Sequence, residues 1–131
     1  MKLIFSDAAL KINGVAYTDF PILLDRSMRI VEIAQSFLLY HCIERGQVNS
    51  KKSWIRYGRD LYDFFGYLEG NNFQWNEEPN HKKISIIASY RDWSFSECKL
   101  TPSTINQRLR TIVAFYGWAK RKKFIKNLPF D

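Results

Sequence analysis

The sequence is poor in the residues that build metal centres, disulfide frameworks and phosphate loops. It holds two cysteines and two histidines in 131 residues. Cys42 and Cys98 form no CxxC pair, and no histidine stands at metal-ligand spacing from them. A zinc site and a stapled fold are therefore unsupported, and no cofactor is expected. Cys42 falls in an apolar helical segment, where a buried thiol is the ordinary role. The six glycines are dispersed, which excludes a glycine-rich phosphate loop. No apolar run reaches the length of a membrane span, so no membrane partner is expected. The opening Met1-Lys2-Leu3-Ile4-Phe5 meets Ser6 and Asp7 at once, unlike a signal peptide, which points to an intracellular chain.

Acidic residues are scarce at one end. Residues 1–50 carry five basic and five acidic side chains, so the formal charge of +7 arises wholly beyond them. From Lys99 onward eight Lys or Arg face a single acid, Asp131. Such segregation points to a polyanionic partner, the bland alternative being a solubilising surface. Aromatic residues, by contrast, are plentiful at 16%, and hydrophobic content of 46% allows one domain with a real core.

Local patterns predict mostly helix. Ala9-Leu10-Lys11-Ile12 and Val15-Ala16-Tyr17-Thr18 flank Asn13-Gly14, a hairpin signal of the type I′ kind. Phe20 to Leu24 reads as extended around Pro21. A first helix is predicted over Ile30 to Arg45, with Ile30, Ile33, Phe37 and Tyr40 in its apolar stripe and Gly46 as its stop. A second runs from Ser50 as N-cap to Glu69, closed by Gly70-Asn71-Asn72, and buries Trp54, Tyr57, Leu61, Phe64, Phe65 and Leu68. A polar loop over 73–80 precedes a third helix, predicted from about His81 to Ser94, with Ile84, Ile87, Ala88, Arg91 and Trp93 inward.

The fourth helix is the most informative. Thr101 can cap it, and Pro102 suits its first position because the missing N–H would have no partner there. Ile105, Leu109, Ile112, Tyr116 and Ala119 share one face, while Ser103, Asn106, Gln107 and Arg110 share the other. That second face offers donors and positive charge and no acid. The basic run Lys120 to Lys123 follows. On the second helix Lys52, Arg56 and Arg59 fall on one outward side. Lys51 and Lys52 sit in its first turn, where the helix dipole disfavours cations; either an external anion resolves the conflict or the lysines are solvated at small cost. These patterns imply an all-α, compact four-helix bundle with an N-terminal β-hairpin or extended arm.

Catalytic constellations are not apparent. Tyr40, Tyr57, Tyr90 and Tyr116 lie on apolar stripes and read as core. His41 and His81 lack an orienting partner for a triad. Asp60 and Asp63 are expected to pair with Arg56 and Arg59 along the helix rather than to act as a dyad.

Several stretches together resemble the N-terminal core-binding domain of tyrosine recombinases, the phage-integrase family. Ser53-Trp54-Ile55-Arg56-Tyr57-Gly58-Arg59-Asp60-Leu61-Tyr62-Asp63-Phe64-Phe65 is similar to the family's first long helix, with its Tyr…Asp-Leu…Phe pattern. Tyr90-Arg91-Asp92-Trp93 matches a helix ending near an aromatic. Thr104-Ile105-Asn106-Gln107-Arg108-Leu109 resembles the Thr-x-Asn-x-x-Leu opening of the family's last helix, and Phe115-Tyr116-Gly117-Trp118-Ala119 its Phe-Tyr-x-Trp-Ala end. Asn127 and Pro129 resemble the Asn-Pro exit toward the catalytic domain, although Leu128 separates them here. The resemblance covers about 80 residues.

The resemblance implies a SAM-like bundle that clamps one side of a recombination site on double-stranded DNA. Its partner would be a C-terminal catalytic domain of the same protein, with neighbouring recombinase protomers as further candidates. Catalytic residues of the family belong to that other domain, so no enzyme activity is expected of this chain alone. The implied organisation is an arm over 1–29, a DNA-binding core over 30–125 and the start of a linker over 126–131. The implied DNA contacts are Lys51, Lys52, Arg56, Arg59, Ser103, Asn106, Gln107, Arg110, Arg121 and Lys122, with amides suited to adenine, arginine to guanine and lysine to phosphate. A bacterial or phage cytoplasm, at the nucleoid, and a mobile genetic element are the implied setting. Two alternatives stay open: a stand-alone helical DNA-binding regulator, against which the long 95–100 connection counts, and a helical protein-interaction module.

Overall fold

The computed structural model describes residues 1–7, 9–46, 50–77 and 84–130. They form two compact units, Met1–Tyr62 and Asp63–Asp131, and helix α2 (Lys51–Gly70) supplies residues to both.

The first unit is built on short strands. β1 (Lys2–Phe5) pairs antiparallel with β4 (Pro21–Leu24), Lys2 opposite Leu24 and Phe5 opposite Pro21. Between them β2 (Lys11–Ile12) and β3 (Val15–Ala16) make the expected hairpin, with Asn13 and Gly14 both at positive φ (52° and 79°) as a type I′ turn requires. Ser6 ties the hairpin's base. Its hydroxyl donates to the Tyr17 carbonyl (2.7 Å) and accepts from the Phe20 N–H (2.9 Å). The free edge of β4 is closed by Gln35 of helix α1 (Glu32–Leu39). The Gln35 carbonyl oxygen accepts from the Leu23 N–H at 3.1 Å, and its amide nitrogen donates to the Pro21 carbonyl at 2.9 Å. One side chain thus satisfies two backbone groups of that edge, and the Val31 N–H meets a third, the Leu23 carbonyl, at 2.9 Å.

Phe20, Leu23, Ala34, Phe37, Leu38 and Leu61 form this unit's fully buried core. Trp54 lies against Tyr17 and Phe20, ring centroids 5.9 and 5.4 Å apart. Gly58 permits β4 to approach α2: a Cβ there would meet Pro21 Cβ at 2.5 Å.

The first helix differs from its expected span. Ile30 is 52% exposed and bridges Leu24, so α1 starts only at Glu32. Beyond Leu39 the chain widens into a π-helical turn over Tyr40–Glu44, in which the Arg45 N–H reaches the Tyr40 carbonyl five residues back. The turn leaves the His41 carbonyl to the Arg45 Nε, which donates to it at 2.7 Å. Gly46, at φ 66°, follows as the stop.

The second unit packs the rest of α2 with α3 (Ile86–Ser96) and α4 (Pro102–Arg121). The Ser50 hydroxyl accepts from the Ser53 N–H at 3.2 Å, so the expected N-cap of α2 is present. Within the second unit Phe64 meets Tyr90 edge-on at 5.2 Å and Phe65 meets Phe115 at 5.6 Å. Tyr116 is fully buried, and its hydroxyl donates to the Trp75 carbonyl at 2.6 Å. Past α4, Pro129 is buried and the Phe130 ring lies 6.3 Å from that of Tyr116.

Helix α3 corrects two expectations. It begins at Ile86, behind Ser85, whose hydroxyl accepts from the Ala88 N–H at 3.1 Å. The expected start at His81 lies outside the described residues. Ile87, Tyr90 and Ser94 face inward, whereas Ile84 is 72% exposed and Arg91 points to solvent. Tyr90 claims the inward phase because its ring packs on Phe64 and Tyr67. The all-α expectation is likewise amended: the chain is mostly helical, but its N-terminal arm is a folded pair of two-stranded sheets.

Candidate nucleic-acid interface

Helix α4 carries the larger donor set. The Thr101 hydroxyl accepts from the Thr104 N–H at 3.3 Å and Pro102 occupies the first turn. Ile105, Ile112, Phe115, Tyr116, Trp118 and Ala119 anchor one face in the core. This anchoring turns Ser103, Asn106 and Arg110 to solvent and leaves Gln107 half-buried, as the helical period requires. No residue of the helix is acidic. Arg121 and Lys122 are exposed at its far end, roughly 20 Å along the axis from Asn106 at 1.5 Å per residue.

On α2, Lys51, Lys52, Arg56 and Arg59 are all exposed. Lys52, Arg56 and Arg59 recur at steps of four and three and share a side. The Arg56 guanidinium lies over the Tyr57 ring, 4.8 Å from its centroid, which restrains it by a cation–π contact. Lys51 behaves differently. Its Nζ donates to Thr18 Oγ1 at 2.8 Å and stands 3.7 Å from Asp19 Oδ2. The chain itself supplies an anion near this cationic first turn, so Lys51 needs no external one.

Two charged residues adopt partners that helix spacing did not indicate. Asp63 does not pair with Arg56 or Arg59; its Oδ2 accepts from Arg108 Nη1 at 2.8 Å and from the Tyr90 hydroxyl. Arg108 therefore turns to the protein while Arg110, two residues on, stays exposed. The sequence signal for this was present in the apolar stripe, which passes through Ile105, Leu109 and Ile112 and so draws Arg108 to its border.

Burial holds several titratable side chains in their neutral forms. Burial, and then the hydrogen bond to Asp63, raise the Tyr90 hydroxyl above the usual tyrosine range, and burial does the same for Tyr116. Burial pushes the Cys42 thiol up to about 12. Burial first, then the Arg45 and Arg56 charges, lower His41 to about 4, so its ring is neutral at pH 7. Its Nε2 lies 3.0 Å from Arg45 Nη2 and accepts from it, which leaves the ring proton on Nδ1. Among the described residues no group of three or more His, Cys, Asp or Glu side chains could hold a metal ion. What the exposed faces can do is donate hydrogen bonds and offer positive charge.

The family model of the phage integrase N-terminal SAM-like domain matches residues 34–123, more than two thirds of the chain. The chain belongs to that family. It is thereby a member of the integrase group of tyrosine recombinases, and its helical unit fits a SAM-like bundle. The matched span opens inside α1, takes in all of α2, α3 and α4, and leaves β1 to β4 outside. No curated protein and no solved structure matches the chain. No helix among the described residues is long and apolar enough to cross a membrane.

Proposed function

We propose that this chain is the core-binding domain of a site-specific tyrosine recombinase and grips double-stranded DNA at a recombination site. One observation carries the reading: α4 is a 20-residue helix with no acid, whose outward face is Ser103, Asn106 and Arg110 with half-buried Gln107 at its border. A face of neutral donors and a guanidinium suits base edges in the major groove, where amides pair with adenine and arginine with guanine. Lys52, Arg56 and Arg59 on α2, with Arg121 and Lys122 at the end of α4, serve the phosphates, and Lys51 contributes charge while held by Asp19 and Thr18. Strand exchange belongs to a C-terminal catalytic domain of the same protein, in the cytoplasm of a bacterium or on behalf of a phage or other mobile element.

In this reading residues 1–29 are an arm, 30–125 the DNA-binding core and 126–131 the start of the linker. The burial of Pro129 and the contact of Phe130 with Tyr116 tie that linker's first residues to the core.

Binding of the 131-residue chain to duplex DNA, followed by fluorescence anisotropy across a salt series, tests the proposal. Each phosphate neutralised should steepen log K against log salt by about 0.9, so several contacts give a slope well beyond 3. A weak response that ignores salt overturns the reading.

A further inference from the structure

Helices α2 and α4 end in the same way. At the end of α4 the Phe124 N–H reaches the Ala119 carbonyl at 2.9 Å and the Lys123 N–H reaches the Lys120 carbonyl at 3.0 Å. At the end of α2 the Phe73 N–H reaches the Leu68 carbonyl at 2.9 Å and the Asn72 N–H the Glu69 carbonyl at 3.3 Å. Both are Schellman turns, which place one residue in the left-handed region and favour glycine there, sometimes asparagine. Asn72 fills that place on α2 at φ 55°, and Gly46 ends the π-helical turn at φ 66°. On α4 the place is filled by Lys123, at φ 64°.

No ion pair or side-chain hydrogen bond among the described residues holds lysine there. Its Cβ strains the left-handed backbone that glycine adopts freely. The helix dipole is already met by Lys120 and Arg121 in the last turn, and Lys122 follows directly. A fourth consecutive cation adds repulsion. Among the described residues Lys123 has no ion-pair partner, and it is exposed. Lys99, at φ 53° after α3, is a contrast: that helix has no basic residue in its last turn, so the dipole accounts for a cation there. The backbone around Lys123 is held in place as well. The Phe124 ring packs 5.5 Å from Trp118, which fixes the direction in which the chain leaves the helix.

We propose that Lys123 is a DNA phosphate-contact residue, presented by the Schellman turn and retained there at the expense of fold stability. The inference rests on the DNA-binding reading and adds to it a residue outside the recognition face. Both the strain and the charge repulsion are then offset by the external phosphodiester.

Lys123→Gly separates the two roles, because it relieves the strain and removes the charge without disturbing the turn. The 131-residue chain and its Lys123→Gly and Lys123→Arg variants would be unfolded in urea and titrated with duplex DNA across a salt series. The glycine variant should unfold at higher urea, yet bind about eightfold more weakly at 0.1 M salt, with a slope shallower by about 0.9. The arginine variant should keep wild-type affinity and slope with no gain in stability. Wild-type affinity and slope in Lys123→Gly, beside a steep wild-type salt response, overturn this inference alone. Equal loss in Lys123→Arg, or no gain in stability in Lys123→Gly, also overturns it. An absence of salt-dependent binding by the wild type overturns the DNA-binding reading and this inference with it.

Discussion

Arg108 of α4 donates to Asp63 of α2 at 2.8 Å, and the same carboxylate oxygen accepts from Tyr90 of α3. One oxygen thus links the three helices of the second unit. Both ends of the ion pair are largely withdrawn from water, with side-chain exposures of 25% and 24%. A pair so placed is less screened than a surface pair, and loss of the carboxylate takes an acceptor from both donors.

Asp63→Ala should therefore destabilise the chain by about 1–3 kcal/mol, the range for losing a charge-assisted hydrogen-bond acceptor that is partly buried. Arg108→Ala should cost less, because Asp63 keeps the Tyr90 hydroxyl. Urea unfolding at pH 7 measures both. Equal midpoints for wild type and Asp63→Ala would show that the three-way contact is not a structural lock.

Glycine substitutions in the long helices should split in sign. Alanine is favoured over glycine in a helix by roughly 1 kcal/mol. At Gly117 the nearest atom to an added Cβ is Arg121 Nη1 at 3.5 Å, the far end of a flexible side chain, so Gly117→Ala should stabilise by most of that amount. At Gly58 the added Cβ would lie 2.5 Å from Pro21 Cβ, and neither atom can rotate away. Overpacking of this kind costs about 1–3 kcal/mol and exceeds the propensity gain. Thermal melts of the two variants should move in opposite directions.

The α4 sequence places a proposed DNA contact and a core residue two positions apart. Ile112 is fully buried and Arg110 exposed. Ile112→Ala should cost about 2–5 kcal/mol, as buried aliphatic truncations do. Arg110→Ala and Asn106→Ala should leave stability within about 0.5 kcal/mol while weakening duplex binding. Unchanged binding by a folded Arg110→Ala variant would remove the outward face of α4 as a reading surface.

The helices α2 and α4 were legible because their signals are local. A cap, an apolar period and a stop all lie within a few residues of the bonds they direct, as Ser50, Thr101 and Asn72 illustrate. The same period indicated which donors would be exposed, since Asn106 and Arg110 lie opposite Ile105 and Ile112. What escaped was non-local. β1 pairs with β4 across an intervening hairpin, and nothing in Lys2-Leu3-Ile4-Phe5 names Pro21 to Leu24 as its partner. Lys51 and Asp19 are 32 positions apart, and Asp63 and Arg108 are 45 apart, so spacing favoured nearer but unused helical neighbours. In α3 the apolar residues are dense enough to allow more than one inward phase. The packing of Tyr90 on Phe64 and Tyr67, with its hydroxyl on Asp63, selects the phase that leaves Arg91 outside.

Acid should loosen the first unit through one histidine. The His41 ring stacks on Phe37 at 4.8 Å and meets Tyr57 edge-on at 4.5 Å, with only 8% of the residue exposed. Burial, reinforced by the Arg45 and Arg56 charges, lowers its pKa from 6.5 to about 4. The unfolded chain therefore takes up this proton first as pH falls, and uptake favours the unfolded state. The contribution is intact above pH 6.5, declines as pH drops toward 4, and is fully lost below that value. Its size is at most about 3 kcal/mol, at 1.36 kcal/mol per unit. Protonation would also remove the Nε2 acceptor that Arg45 uses. His41→Gln retains an acceptor but does not titrate, so its stability should fall less between pH 6.5 and 4 than that of the wild type. Parallel curves for the two proteins over this window would show that His41 is not the acid-sensitive group.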